Sequence, residues 1–191
     1  MKFTRHIISA VFLTCAAANA FAAEMNAGKI HFTGQIIEPS CIIKGDNGTD
    51  STVPLGTYPT SLFDSVGKES TLKSFSIKLA ECPVASDGLP AVQLTFNGPT
   101  TLTSSASLLD VSKITTSGEE AATGVGIAIS PEGSDTTYLK FDGSENQVKV
   151  DLPTVEDDTV TAYFNARYKS FAQTVTAGAA DADLTINILY R

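Results

Sequence analysis

An all-β sandwich is the fold this sequence predicts, on three observations. Apolar and polar residues alternate over many short runs, and no stretch of helical length shows a 3.6-residue apolar period. Turn clusters rich in Gly, Pro, Asn, Asp and Ser separate those runs at regular spacing. A hydrophobic content of 42% beside 18% charged residues is that of a packed core, and 191 residues fit one domain with at most an appendage.

The chain begins with residues that are not part of that fold. Lys2 and Arg5 form a positive start, Ile7 to Ala18 is an apolar run, and Ala20-Phe21-Ala22 places small residues at −3 and −1. This reads as a secretory signal peptide over residues 1–22, with Ala18-Asn19-Ala20 as a second cleavage choice. The run is too short to span a bilayer. Without Lys2 and Arg5 the chain from Ala23 has 11 Lys+Arg against 21 Asp+Glu, a net charge of −10. Cys41 and Cys82 are then its two cysteines, and in an exported chain they read as one disulfide.

The expected strands follow in order. Ile30-His31-Phe32 alternates; Gln35 to Lys44 is strand-like through Ile36, Ile37, Ile42 and Ile43; Thr52 to Tyr58 carries Val53, Leu55 and a proline. Leu72 to Ala80, Ala91 to Phe96, Leu108 to Val111, Gly124 to Ile129, Tyr138 to Phe141, Val148 to Leu152 and Thr159 to Tyr168 continue the pattern. Turns are expected at Asp46-Asn47-Gly48, Asn97-Gly98-Pro99, Ser130-Pro131-Glu132-Gly133 and Asp142-Gly143-Ser144, and a loop at Thr100 to Ser107. In the last segment the even positions Gly178, Ala180, Ala182, Leu184, Ile186, Ile188 and Tyr190 are apolar or small, and the odd ones mostly polar. That predicts one strand of about fourteen residues, long against a usual five or six. About ten short strands make a sandwich.

Residue types exclude several chemistries. The acidic balance argues against nucleic acid, whose binders cluster Lys and Arg. Two His and three Cys in all argue against a multi-ligand zinc or copper site. No G-x-S-x-G elbow accompanies His31, the sole histidine after Ala22. Gly124-Val125-Gly126 precedes no helix, and Glu119-Glu120 and Glu156-Asp157-Asp158 read as solvated loops. No catalytic residue, metal or cofactor is expected.

The ordered set of signals resembles the fimbrial subunits of the chaperone–usher pathway, close to type 1 major pilins. The residues carrying the likeness are Gly28-Lys29-Ile30-His31-Phe32-Thr33-Gly34 ahead of Cys41, and the Cys41–Cys82 spacing. Pro54-Leu55-Gly56 leads a middle block with Phe63, Gly67, Phe75, Ile77 and Leu79; Gly178 stands fourteenth and Tyr190 second from the end. The resemblance implies an incomplete immunoglobulin-like β-sandwich, lacking its last strand and completed by one donated from a chaperone or a neighbouring subunit, a known mode of strand addition.

It divides the chain into residues 1–22 (signal), 23–34 (donor-strand extension) and 35–191 (pilin domain). Asn26, Gly28, Ile30 and Phe32 share one face of an extended extension, with Ile30 and Phe32 filling pockets and Gly28 suiting a shallow one. Gly178, Ala180, Ala182, Leu184, Ile186, Ile188 and Tyr190 would line one groove edge, bound by a chaperone that also holds the carboxylate of Arg191. The implied partners are a periplasmic pilus chaperone, an outer-membrane usher, and neighbouring copies of this chain and other fimbrial subunits. The implied destination is a surface fimbrium reached through the periplasm. A minor or adaptor subunit shares the architecture, and a secreted ligand-binding sandwich is the alternative from another class.

Overall fold

The structure is a computed structural model, described here for residues 28–115 and 120–191. Two compact units divide the chain between Ile36 and Ile37. The described part of the first, residues 28–36, forms no strand. The expected leader, residues 23–27 and Glu119 lie outside the described residues.

The second unit is a two-sheet β-structure. Its strands are β1 (Ile42–Lys44), β2 (Lys73–Ala80), β3 (Ala91–Asn97), β4 (Leu109–Asp110), β5 (Val125–Pro131), β6 (Val148–Asp151), β7 (Val160–Ser170) and β8 (Thr185–Tyr190), with one 3-10 turn at Thr60–Phe63. One sheet has the order β1-β2-β7-β5-β4 and the other β6-β3-β8. Every ladder is antiparallel.

Period-2 alternation explains the core. Ile77 and Leu79 of β2, Phe164 and Ala166 of β7, and Ile127 and Ile129 of β5 are buried on one sheet; Val92, Leu94 and Phe96 of β3 meet them from the other. Phe96 stands edge-on to Phe164 at 5.9 Å between ring centres, and Phe164 stacks on its cross-strand partner Phe75 at 5.4 Å.

Several expectations need correction. Ile30-His31-Phe32, Thr52 to Tyr58 and Tyr138 to Phe141 form no strand, and Gln35 to Lys44 shrinks to Ile42–Lys44. Pro39 and Pro54 remove ladder donors within two of those runs. Leu139 and Phe141 are buried but belong to a loop that closes over the core. Eight strands stand among the described residues, where about ten were expected.

The fourteen-residue C-terminal strand is also shorter than expected, with six residues in β8. Upstream, single bridges link Thr176 to Thr123, Ala179 to Ala121 and Asp181 to Ser112. Gly178 lies so near the chain at 120–122 that a Cβ would come within 2.3 Å of the Glu120 carbonyl oxygen. Here odd-numbered Ala179 is buried and Gly178 exposed. Small residues had extended the apparent alternation without supplying side-chain area.

Candidate functional site

The site is a groove along β8. Val92, Leu94 and Phe96 of β3 are at most 1% exposed. Their cross-strand partners on β8 are Tyr190, Ile188 and Ile186 in that order, on the same face and only half-buried. Burial thus falls away within one strand spacing, about 4.8 Å. Leu184, just before β8, is half-buried too. Among the described residues β8 pairs with β3 alone, leaving its outer edge without a ladder.

The facing wall is the chain from Cys41 to Tyr58. Val53 and Leu55 point toward the core, yet residues 51–57 form no ladder with another described residue. Two contacts fix the ends of the groove. At one end the Cys41 N–H donates to Tyr190 Oη at 2.8 Å. At the other, Gly56 to Phe63 and Val175 to Asp181 line a cavity of about 350 Å³ that includes Tyr58, Phe63, Val125 and Tyr168. Tyr168 Oη donates there to the Ala180 carbonyl at 3.0 Å. Cys41 lies by Tyr190 and Gly56–Tyr58 by Ala180, so the two walls run antiparallel.

Both walls are anchored. Cys41 is disulfide-bonded to Cys82, at the end of β2. Downstream, Gly67 N–H donates to the Ser170 carbonyl and Ser70 N–H to that of Tyr168, fastening residues 65–70 along β7. A polar cluster reinforces this on the outer sheet face. Lys169 Nζ reaches Glu69 Oε1 at 2.6 Å, Tyr138 Oη donates to the same oxygen at 2.5 Å, and buried Arg167 lies 3.6 Å from Glu69 Oε2. Arg167 also donates to Ser130 Oγ at 2.8 Å and to the Asp135 carbonyl. Both Arg167 and Lys169 sit over the Tyr138 ring.

Titration follows this geometry. Burial works to raise the Glu69 carboxyl. Hydrogen bonds from Lys169 and Tyr138, with the charges of Lys169 and Arg167, outweigh it and hold the group below its usual value. Burial opposes charge on Lys169, but Glu69 and Tyr138 pull its value up. Burial, then the charge of Asp181 and the nearby Tyr58, raise the Tyr168 phenol. Burial raises that of Tyr190 against the N–H groups of Cys41 and Ser40.

The expected site residues fall into two sets. Leu184, Ile186, Ile188 and Tyr190 share the inner face of the β8 segment; Ala180 and Ala182 pack partly buried just before it. Gly178 belongs to the crossing with residues 120–122. Arg191 is exposed and pairs with Glu145 at 2.7 Å. In the first unit Ile30 is 82% and Phe32 93% exposed, and Ile36, of the same parity, 99%. Asn26 lies outside the described residues. Tyr58, Glu69 and Tyr168 escaped the sequence reading, because a hydroxyl or carboxylate that bonds through a single polar atom leaves no periodic signal. No cluster able to hold a metal occurs among the described residues.

Among the described residues the β8 edge combines an open ladder with a row of half-buried apolar side chains, the two things a further strand would satisfy. A family model described as "Fimbrial protein" matches residues 30–191, and the chain belongs to that family. It is 37% identical to the type-1 fimbrial protein subunit of Serratia marcescens over 96% of both chains. It is 32% identical to long polar fimbria protein A of Salmonella typhimurium, over 93% of this chain and 92% of that one. The P pilus rod subunit PapA has the same fold, with a TM-score of 0.55 at 23% identity over 85% of this chain and all of that one.

Proposed function

We propose that this chain is a structural subunit of a bacterial surface fimbria, polymerising by donation of residues 23–34 of one copy into the β8 groove of the next. The observation that carries the reading is the drop in burial from Leu94, which is fully buried, to its half-buried partner Ile188. A strand added beside β8 would cover Leu184, Ile186, Ile188 and Tyr190 and pair its outer edge. The chain's own Ile30 and Phe32 are apolar, exposed and two residues apart, which suits one face of such a strand. Burying each contributes about 1.5–3 kcal/mol, beside the main-chain bonds. The role is structural and needs no catalysis.

The same groove would need cover before assembly. A periplasmic chaperone lending a strand, and an outer-membrane usher where the exchange takes place, complete the reading; residues 1–22 direct the export. Deleting residues 23–34 tests it. The truncated chain should fold and be held by its chaperone but give no fibres under negative-stain microscopy. Long fibres from the truncated chain would contradict the assignment.

A further inference from the structure

We infer that Asn47 is a site of spontaneous modification: its side-chain amide is lost as ammonia, leaving aspartate or isoaspartate in the turn that follows β1. The chemistry needs only the local backbone, not the strand-accepting role proposed above. In an Asn-Gly pair the backbone nitrogen of the glycine attacks the asparagine side-chain carbon, and the missing Cβ lets the two approach. Two such pairs occur in the chain, Asn47-Gly48 and Asn97-Gly98. The fold treats them in opposite ways.

Asn47 to Asp50 closes a hairpin turn around Gly48 and Thr49: the Asn47 N–H donates to the Asp50 carbonyl at 3.0 Å, and the Asp50 N–H to that of Asn47 at 3.2 Å. Residues 46–50 are exposed. Gly48, at φ +68°, has open space where a Cβ would stand. Its carbonyl accepts from the Gly45 N–H at 2.8 Å, but its own N–H meets no acceptor among the described residues. Asn97, by contrast, ends β3, with Thr185 of β8 as one neighbour and a bridge to Asp142 as another. The Gly98 N–H donates to the Phe141 carbonyl at 3.0 Å, and a Cβ on Gly98 would stand 2.3 Å from Leu109 Cδ2. That nitrogen is bonded and packed in place, so local opening must free it before it can attack.

Water is the only co-reactant. The Gly48 nitrogen loses its proton and bonds to Asn47 Cγ; the Cγ–Nδ2 bond breaks, and Nδ2 leaves with a proton as ammonia. Water then opens the cyclic imide at either carbonyl, giving aspartate or isoaspartate. Both products add a negative charge between Asp46 and Asp50, and isoaspartate also puts an extra methylene into the backbone of the turn.

The test holds the oxidised chain from Ala23 at about pH 8 and about pH 9 and maps its peptides by mass over time, beside the same chain reduced and denatured. The peptide holding Asn47 should gain the mass of an amide-to-acid exchange, with isoaspartate located at that residue. In the folded chain Asn47 should convert at least about tenfold faster than Asn97. In the denatured chain the two should agree within about threefold. Conversion at Asn47 should quicken about tenfold between the two pH values, because the deprotonated nitrogen is the nucleophile. Asn47→Gln, whose longer side chain must close a larger ring, should abolish conversion there and leave Asn97 as before. Equal rates at the two sites in the folded chain, or no conversion at Asn47, would overturn the assignment.

Discussion

The two edges of the three-stranded sheet make an instructive pair. Both β6 and β8 flank β3 and turn apolar side chains toward the same core. On β6, Val150 is 6% exposed and Leu152, just beyond it, 4%, while Val148 at the start of the strand is half-buried. Chain from the neighbouring loops closes that side: Leu152 N–H donates to the Pro90 carbonyl, Ala85 N–H to that of Pro153, and Leu139 and Phe141 are buried. On β8 the corresponding residues are half-buried, and no strand among the described residues covers them. One edge is finished by its own chain; the other is finished, in the proposed fibre, by a different copy. The same residue types therefore do two jobs. On β6 they hold the fold, and on β8, in the proposed fibre, they hold the assembly.

The largest effect expected from that contrast is loss of assembly on removing Leu189-Tyr190-Arg191. The cut takes the Tyr190 tie and the end of the β8–β3 ladder, and co-purification with the chaperone should fall to background. A truncated chain captured as well as the parent would break the comparison.

Reducing Cys41–Cys82 comes next. The bond closes a loop with a sequence separation of 41, for which about 3–4 kcal/mol of stability is expected. Denaturant midpoints with and without reductant measure it, and thiol titration of the oxidised protein should find no free thiol.

The sharpest comparison uses one substitution on each edge. Val150→Ala should cost the unassembled domain about 2 kcal/mol, and the same amount after assembly. Ile188→Ala should cost less before assembly, roughly 1 kcal/mol, because the side chain is already half-exposed, and more afterwards, once the added strand buries it. Chemical denaturation of monomer and fibre gives all four values. Equal costs for Ile188→Ala in both states would remove the distinction between the edges.

A smaller, pH-dependent effect tests the anchoring of the far wall. Glu69 titrates below its unfolded value of about 4.3. Its contribution is therefore complete above that value and is lost as the pH falls through the lower folded one. Melting temperature should hold steady from about pH 5 to 8 and decline below about pH 4, and Glu69→Gln should flatten that decline. Smallest of all is Arg191→Ala. It removes an exposed pair with Glu145 and should change stability by less than about 0.5 kcal/mol.

Much of this was legible in the sequence, for reasons particular residues make plain. Large apolar residues alternate with small or polar ones along β2, β3, β5, β6 and β7, so these strands were visible from Leu79, Leu94, Ile127, Val150 and Phe164 and their neighbours. Leu184, Ile186, Ile188 and Tyr190 read correctly as one face because each has a large side chain. The alternation failed at Gly178, where the backbone crosses residues 120–122 and Ala179 is buried instead; Ala180 and Ala182 keep to the core side but join no strand. It failed also for Thr52 to Tyr58, whose apolar residues face inward but whose backbone finds no ladder. The hydroxyl bonds of Tyr168 and Tyr190 and the Glu69 cluster were not legible, since each is made through single polar atoms that follow no repeat along the chain.

In the proposed fibre β8 is completed from outside, whereas β6 is closed by its own chain. Amide hydrogen exchange of the chain from Ala23, before and after assembly into fibres, tests it most directly. Amides in Thr185–Tyr190 that do not bond to β3 should gain strong protection on assembly, while those of Val148–Asp151 stay unchanged. Equal change at both strands, or no gain along β8, would contradict it.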